Sequence, residues 1–180
     1  MPDFFVPGMR LYLDEMIDWQ TLLPLRRGGG VDVEAEVAAF RSVLETTASL
    51  AESFEAAARA NWHAEATLTE DGGATSPPHI RAAYDALREA GLVSLPVSET
   101  YGGYGLPAIL NGIYLEMISR ADASLMMVVG LQAGAATDIE KYGSESVKRK
   151  WLPRFADGSV EGCMDLTEPQ AGSDLGGITT

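Results

Sequence analysis

From Asp32 onward, apolar or small side chains return every three or four residues, at Val37, Phe40, Leu44, Thr47, Ala51, Phe54 and Ala58. Glu34, Glu36, Glu45, Glu52 and Glu55 fall between them. That spacing predicts one long helix with a single buried stripe, capped by Asp32. Ahead of it, Leu13, Met16 and Ile17 recur at helical spacing between Met9 and Trp19, with Asp14, Glu15 and Asp18 opposite. Pro24 and the run Gly28, Gly29, Gly30 then read as linker.

Beyond the long helix, residues 69–78 are small, polar and proline-containing, hence a loop. A second helix starts at Pro77 or Pro78, buries Ile80, Tyr84 and Leu87, and stops at Gly91. After a brief extended piece, Leu92 to Val97, the stretch Tyr101-Gly-Gly-Tyr-Gly-Leu-Pro107 is a turn that opens a helix burying Leu110, Ile113, Met117 and Ile118. The segment from Ser124 to Tyr142 is apolar nearly all round in its first half and carries Gly130 and Gly134, so it is a central helix. Ser144 caps a last amphipathic helix with Val147, Trp151, Leu152 and Phe155, which ends before Gly158. The fold class is therefore mainly α. No internal repeat interrupts it.

Composition narrows the function classes. Twenty-six acidic against thirteen basic residues give a formal net charge of −13 over 180 residues, which repels a phosphate backbone and argues against nucleic-acid binding. The single cysteine, Cys163, permits no intramolecular disulfide, and Cys and His are too sparse for a structural zinc site. No apolar run approaches the roughly 20 residues of a membrane span. Asp3, Asp14, Glu15 and Asp18 stand where a targeting peptide would be basic. A cytoplasmic protein with no metal is the expectation.

Among candidate sites, Gly103-Tyr-Gly105-Leu-Pro-Ala108 matches a dinucleotide-binding pattern, but Pro96 interrupts the preceding segment and helix follows instead of a second parallel strand. It reads as a structural turn. His63 and His79 read as surface histidines, and Lys148, Arg149 and Lys150 as a solvated helix face. Met126, Met127, Gly130 and Gly134 suit either core packing or the wall of a pocket for a flexible apolar chain. From Cys163 the chain reads as a short strand entering a loop rich in glycine and hydroxyls, Thr167-Glu-Pro-Gln-Ala-Gly-Ser-Asp174. Its residues alone leave it open between an ordinary turn and a loop that offers backbone N–H groups to a ligand.

Leu166-Thr-Glu-Pro-x-Ala-Gly-Ser-Asp174 followed by Gly177 resembles the signature at the junction of the N-terminal and middle domains of acyl-CoA dehydrogenases. Tyr101-Gly-Gly103, the central apolar helix, Tyr142-Gly143, Trp151-Leu-Pro153 and Gly158 agree with it in order and spacing. Tyr12-Leu-Asp-Glu-Met16, the Gly-Leu-Pro107 helix start and Pro169-Gln170 are most similar to the branch containing 3-(methylthio)propanoyl-CoA dehydrogenases. The resemblance implies a helix and linker over residues 1–31, a helical-bundle domain over 32–160, and the first strand and loop of a middle β-barrel domain over 161–180. It also implies FAD, α,β-dehydrogenation of an acyl-CoA, an electron-transferring flavoprotein as acceptor, and a homo-oligomer.

Carried over by position, the resemblance puts Met164 and Leu166 along the flavin ring and Thr167 on its edge. Gly172 and Ser173 would sit beside the pyrophosphate and the CoA pantetheine, with Ser173 also touching substrate. Met126, Met127, Gly130 and Leu131 would floor the acyl pocket, while Glu168 and Asp174 would hold the loop's shape. The family's catalytic carboxylate has no counterpart up to Thr180, so no catalytic residue is assigned, and the chain is expected to be an inactive N-terminal piece. A flavin oxidase or monooxygenase on the same scaffold, or a non-catalytic helical module that binds an acyl chain or a partner, are the alternatives.

Overall fold

The computed structural model describes residues 4–179, so Met1 to Asp3 and Thr180, the outer ends of the 1–31 and 161–180 segments, lie outside the described residues. Among the described residues seven α-helices follow one another: α1 (Pro7–Leu11), α2 (Trp19–Arg27), α3 (Val33–Ala60), α4 (Pro78–Glu89), α5 (Ala108–Ala121), α6 (Ala123–Tyr142) and α7 (Glu145–Ala156). A two-residue antiparallel hairpin, β1 (Thr67–Leu68) and β2 (Ala74–Thr75), projects from the loop between α3 and α4. The mainly α class holds.

Helix α3 begins where its sequence says it should, because the Asp32 carboxylate accepts a hydrogen bond from the Ala35 N–H at 3.0 Å and closes the first turn. Phe40, Val43, Leu44, Thr47, Ala51 and Phe54 form its buried stripe, packed most extensively on α5. Thr47 is accommodated there because its hydroxyl donates to the Val43 carbonyl at 2.8 Å. Helix α4 ends in a Schellman motif: Leu92 N–H reaches the Leu87 carbonyl at 2.8 Å, Gly91 N–H reaches that of Arg88 at 2.9 Å, and Gly91 takes φ +71°. The chain is thereby turned inward, and Leu92, Val93, Leu95 and Val97 are all buried without forming a strand.

Buried polar groups knit the interior. Tyr84 donates to Gln132 Oε1 at 2.8 Å, Gln132 donates onward to Ser94 Oγ, and Tyr114 donates to the Leu92 carbonyl at 2.7 Å. Desolvation pushes the phenol of Tyr114 far above its ordinary range, and burial raises that of Tyr84 as well. Both therefore serve as neutral donors.

Three expectations are corrected. The segment between Met9 and Trp19 is not one helix: α1 passes into a π-helical turn at Tyr12–Met16 and the chain breaks before Asp18, which caps α2 through the Thr21 N–H. Only Leu13 of its predicted stripe is fully buried, and Met16 is largely exposed. The linker expected from Pro24 is helical as far as Arg27, with Pro24 inside α2. One hydrogen bond is forfeited there, offset by burial of Trp19 and Leu23 and by Arg26, which donates to the Gly105 carbonyl at 2.7 Å. Lastly, residues 161–167 have no regular secondary structure; beyond them only an isolated bridge joins Glu168 to Ala171. A strand requires a partner's hydrogen bonds, and among the described residues no other strand runs beside this segment.

Candidate functional site

Helix α6 has two faces of different character. Leu125, Val129, Gln132, Ala133 and Ala136 are buried against the bundle; Gly130 and Gly134, one turn apart, are half-buried, Gly130 against Leu115 of α5 and Gly134 on the face turned toward the end of the chain. The segment that leaves α7 crosses this second face. A Cβ on Gly162 would meet the Phe155 ring at 2.6 Å and the Ala135 methyl at 3.2 Å, and a Cβ on Gly134 would meet the Met164 methyl at 3.1 Å. Glycine at 162 keeps the segment clear of the Phe155 ring, and the bare backbone at 134 leaves room for Met164 against the helix.

Between that crossing and α5 lies a cleft of about 350 Å³, lined by Gly130, Gly134 and Met164 together with Pro96, Asn111 and Asp138. Gly130 and Met164, two of the expected site residues, therefore meet in one concavity. Met126 is partly buried beside Gly130, its sulfur 3.6 Å from where a Cβ would stand; Leu131 is half-buried, and Met127 faces outward at 52% exposure. Leu166, Thr167, Gly172 and Ser173 are exposed and do not line the cleft.

The final loop is held by its own side chains. The Glu168 carboxylate accepts hydrogen bonds from Gln170 Nε2 and from both the N–H and the hydroxyl of Thr179, the last two at 3.0 Å. Glu168 and Ala171 exchange backbone bonds at 3.0 and 3.1 Å, and Ala171 is buried beneath them. In contrast, the backbone of residues 161–167 makes no hydrogen bond among the described residues, leaving a row of free N–H and C=O groups next to the Thr167 hydroxyl. That arrangement can accept a flat polar edge laid along it.

Sequence reasoning missed Asn111, Thr137 and Asp138 in the cleft, because short polar residues on helices carry no pattern that distinguishes a wall from a solvated face. It also misplaced His79, which is not a surface histidine. Its Nε2 lies 3.6 Å from Asp122 Oδ2, and both side chains are about nine-tenths buried in the corner between α4 and the α5–α6 junction. The reason is topological: the sharp turn at Asp122 folds α6 back beside the start of α4. The turn at Gly103–Gly105 is held by the Gly105 N–H on the Val97 carbonyl at 2.7 Å and the Gly103 N–H on that of Ser98 at 3.1 Å. Among the described residues no cluster of His, Cys, Asp and Glu could hold a metal ion, and no helix is long and apolar enough to cross a membrane.

Comparison with known proteins places this helical frame. The family model "Acyl-CoA dehydrogenase, N-terminal domain" matches residues 41–159. The 3-methylmercaptopropionyl-CoA dehydrogenase of Ruegeria pomeroyi is 35% identical over 111 residues, which are 62% of this chain and 19% of that protein. The butyryl-CoA dehydrogenase of Syntrophomonas wolfei is 37% identical over 105 residues, 58% of this chain and 17% of the other. A crystal structure of an acyl-CoA dehydrogenase from Bacillus anthracis complexed with FAD superposes on 78% of this chain and 22% of its own, with a TM-score of 0.57 and 25% identity. The chain thus spans less than a quarter of the length of each of these relatives. Since the matched residues run from the first third of α3 past the end of α7 and cover every helix that frames the cleft, the chain belongs to the acyl-CoA dehydrogenase family and carries its N-terminal domain.

Proposed function

We propose that this chain forms the helical wall of the substrate and flavin site of an FAD-dependent acyl-CoA dehydrogenase, with residues 161–179 as the start of the middle domain. The observation that carries this reading is the crossing at Gly134, where Met164, just ahead of the signature, lies against α6 and leaves a cleft beside it. The residues present fit FAD. Residues 164–167 offer an unpaired extended backbone and the Thr167 hydroxyl to the ring edge, and Gly172, with no atom within 4 Å of a would-be Cβ, leaves room for the pyrophosphate beside Ser173. When bound, FAD supplies the hydride acceptor that no side chain can provide.

In this reading the chain orients rather than reacts. The cleft would take the acyl chain on the face made by Gly130, Gly134 and Met164, with Met126, Met127 and Leu131 at its borders, while Ser173 holds the CoA arm. Loss of the α-proton belongs to a carboxylate for which the described residues offer no assigned candidate. An electron-transferring flavoprotein as acceptor and a homo-oligomeric assembly go with the same reading. To test it, the protein expressed from the full reading frame is titrated with straight-chain acyl-CoAs while its flavin absorption is recorded. Bleaching of the oxidised flavin band is the expected outcome; an unchanged spectrum with every thioester would count against dehydrogenation, and oxygen consumption without an added acceptor would point to an oxidase.

A further inference from the structure

Residues 141–154 hold five of the chain's thirteen basic side chains, all three lysines among them, against one carboxylate, Glu145. Their net charge of +4 stands in a chain of −13, so the other residues together carry −17 (−13 less +4). Lys141 lies in the last turn of α6, and Lys148, Arg149, Lys150 and Arg154 follow on α7. What sets them apart is how few are neutralised. Of the eight arginines outside the stretch, five are ion-paired, Arg26 and Arg120 donate to backbone carbonyls, and Arg10 lies over the Phe5 ring. Within it Lys148 is paired with Glu145 at 3.3 Å, while Lys141, Arg149, Lys150 and Arg154 are exposed and make no ion pair among the described residues. Lys150 and Arg154, one turn apart, lie over the Trp151 ring at 4.8 and 5.2 Å, and Lys141 lies over that of Tyr142 at 5.1 Å. Trp151 packs inward on Leu152 and its neighbours, so the rings hold the charged heads at the surface.

Like charges one turn apart weaken a helix, and the helix dipole favours a cation only in the last turn, which covers Arg154 but not residues 148–150. Solvation alone does not favour collecting them there. Of the flanking carboxylates, Glu140 accepts the Ser98 N–H at 3.2 Å, Asp157 accepts that of Ser159 at 2.8 Å, and Glu161 is paired with Arg81 at 2.7 Å. Lys141 stands one turn beyond Thr137 and Asp138, which line the cleft, so the patch begins beside it. We propose that α7 is the docking face for an acidic carrier protein that presents the acyl group on a phosphopantetheine arm, a second class of thioester beside acyl-CoA. This rests on the dehydrogenase reading above, because the arm and the thioester are those of CoA and enter the same cleft. Carriers of this kind are small and strongly acidic. At physiological salt charges act over about 8 Å, so a compact acidic surface can meet the patch without meeting the carboxylates around it. A bilayer or a nucleic acid, being extended, meets both.

The test compares butyryl groups on the fatty-acid carrier protein of the same organism, on CoA and on free pantetheine, turned over by the protein from the full reading frame. For the carrier thioester kcat/KM should exceed that for butyryl-pantetheine by about tenfold or more at low salt, and the advantage should shrink as ionic strength rises. Reversing charge with Lys150→Glu and Arg154→Glu together should abolish the advantage and leave turnover of butyryl-pantetheine as in the parent. Arg59→Glu, at an exposed arginine of α3 outside the patch, should change neither. Lys150→Gln with Arg154→Gln gives the same reading if the reversal unfolds α7. Equal kcat/KM for the carrier and pantetheine thioesters, or an advantage that survives in both double variants, would overturn the proposal and leave dehydrogenation of acyl-CoA standing. Sedimentation with vesicles of anionic phospholipid that is lost in the same variants, without any carrier advantage, would assign the patch to a membrane and overturn it as well. No flavin bleaching by any thioester would sink both readings.

Discussion

Gly103→Ala is expected to destabilise the protein by ~3 kcal/mol or more, the range reached when a new atom is forced into backbone. An alanine Cβ there would stand 2.0 Å from the Val97 carbonyl oxygen and 2.6 Å from its carbon, distances at which one backbone must move. Val97 cannot easily yield. Its carbonyl already accepts the Gly105 N–H at 2.7 Å, its side chain is fully buried against Ala136, Leu152 and Phe155, and the Gly105 carbonyl is gripped by Arg26. The whole turn would have to open, exposing the cluster of Val97, Ala136, Leu152 and Phe155. For a chain of this size the loss corresponds to a fall in Tm of about 6–12 °C, read by thermal circular dichroism. A shift within error would mean that the turn is looser than described.

The second large effect is expected at Asp122. Its Oδ1 accepts the N–H groups of Ser124 and Leu125 at 2.9 and 3.2 Å and so caps the twenty-residue helix that carries the cleft, while Oδ2 faces the buried His79. Asp122→Ala removes both roles and should cost about 2 kcal/mol, of which the cap accounts for about half. Asp122→Asn retains an equally good cap and should lose only the part due to His79. Chemical denaturation of the three proteins separates the two contributions. If alanine and asparagine are equally destabilising, capping is not what Asp122 does.

The helices were legible where local pattern and tertiary packing agree. Asp32, Gly91 and Ser144 marked helix ends that the structure keeps, because each acts through hydrogen bonds within a few residues of itself. Legibility failed where distant contacts decide. Pro24 signals a break, yet α2 continues past it because Leu23 is drawn into the core and Arg26 and Arg27 reach the turn near residue 105. His79 gave no sign of burial, since its partner lies 43 residues away across a corner set by tertiary packing. The signature at 166–174 was readable as a motif, whereas the placement of Met164, just ahead of it, over Gly134 depends on how α7 returns the chain. Asn111, Thr137 and Asp138 had no sequence signal at all, because a short polar residue on a helix reads the same whether it borders a cleft or faces solvent.

The central claim is that the glycine face of α6 and the segment crossing it form one wall of an acyl-CoA and flavin site. Gly134→Leu tests it most directly. Leucine would fill the cleft and push against the Met164 methyl, which already lies 3.1 Å from the position of a Cβ. In the protein from the full reading frame, the account predicts that this variant remains folded and loses most of the flavin bleaching that acyl-CoA produces in the parent. Bleaching that is undiminished in Gly134→Leu, at the same thioester concentrations, would contradict it.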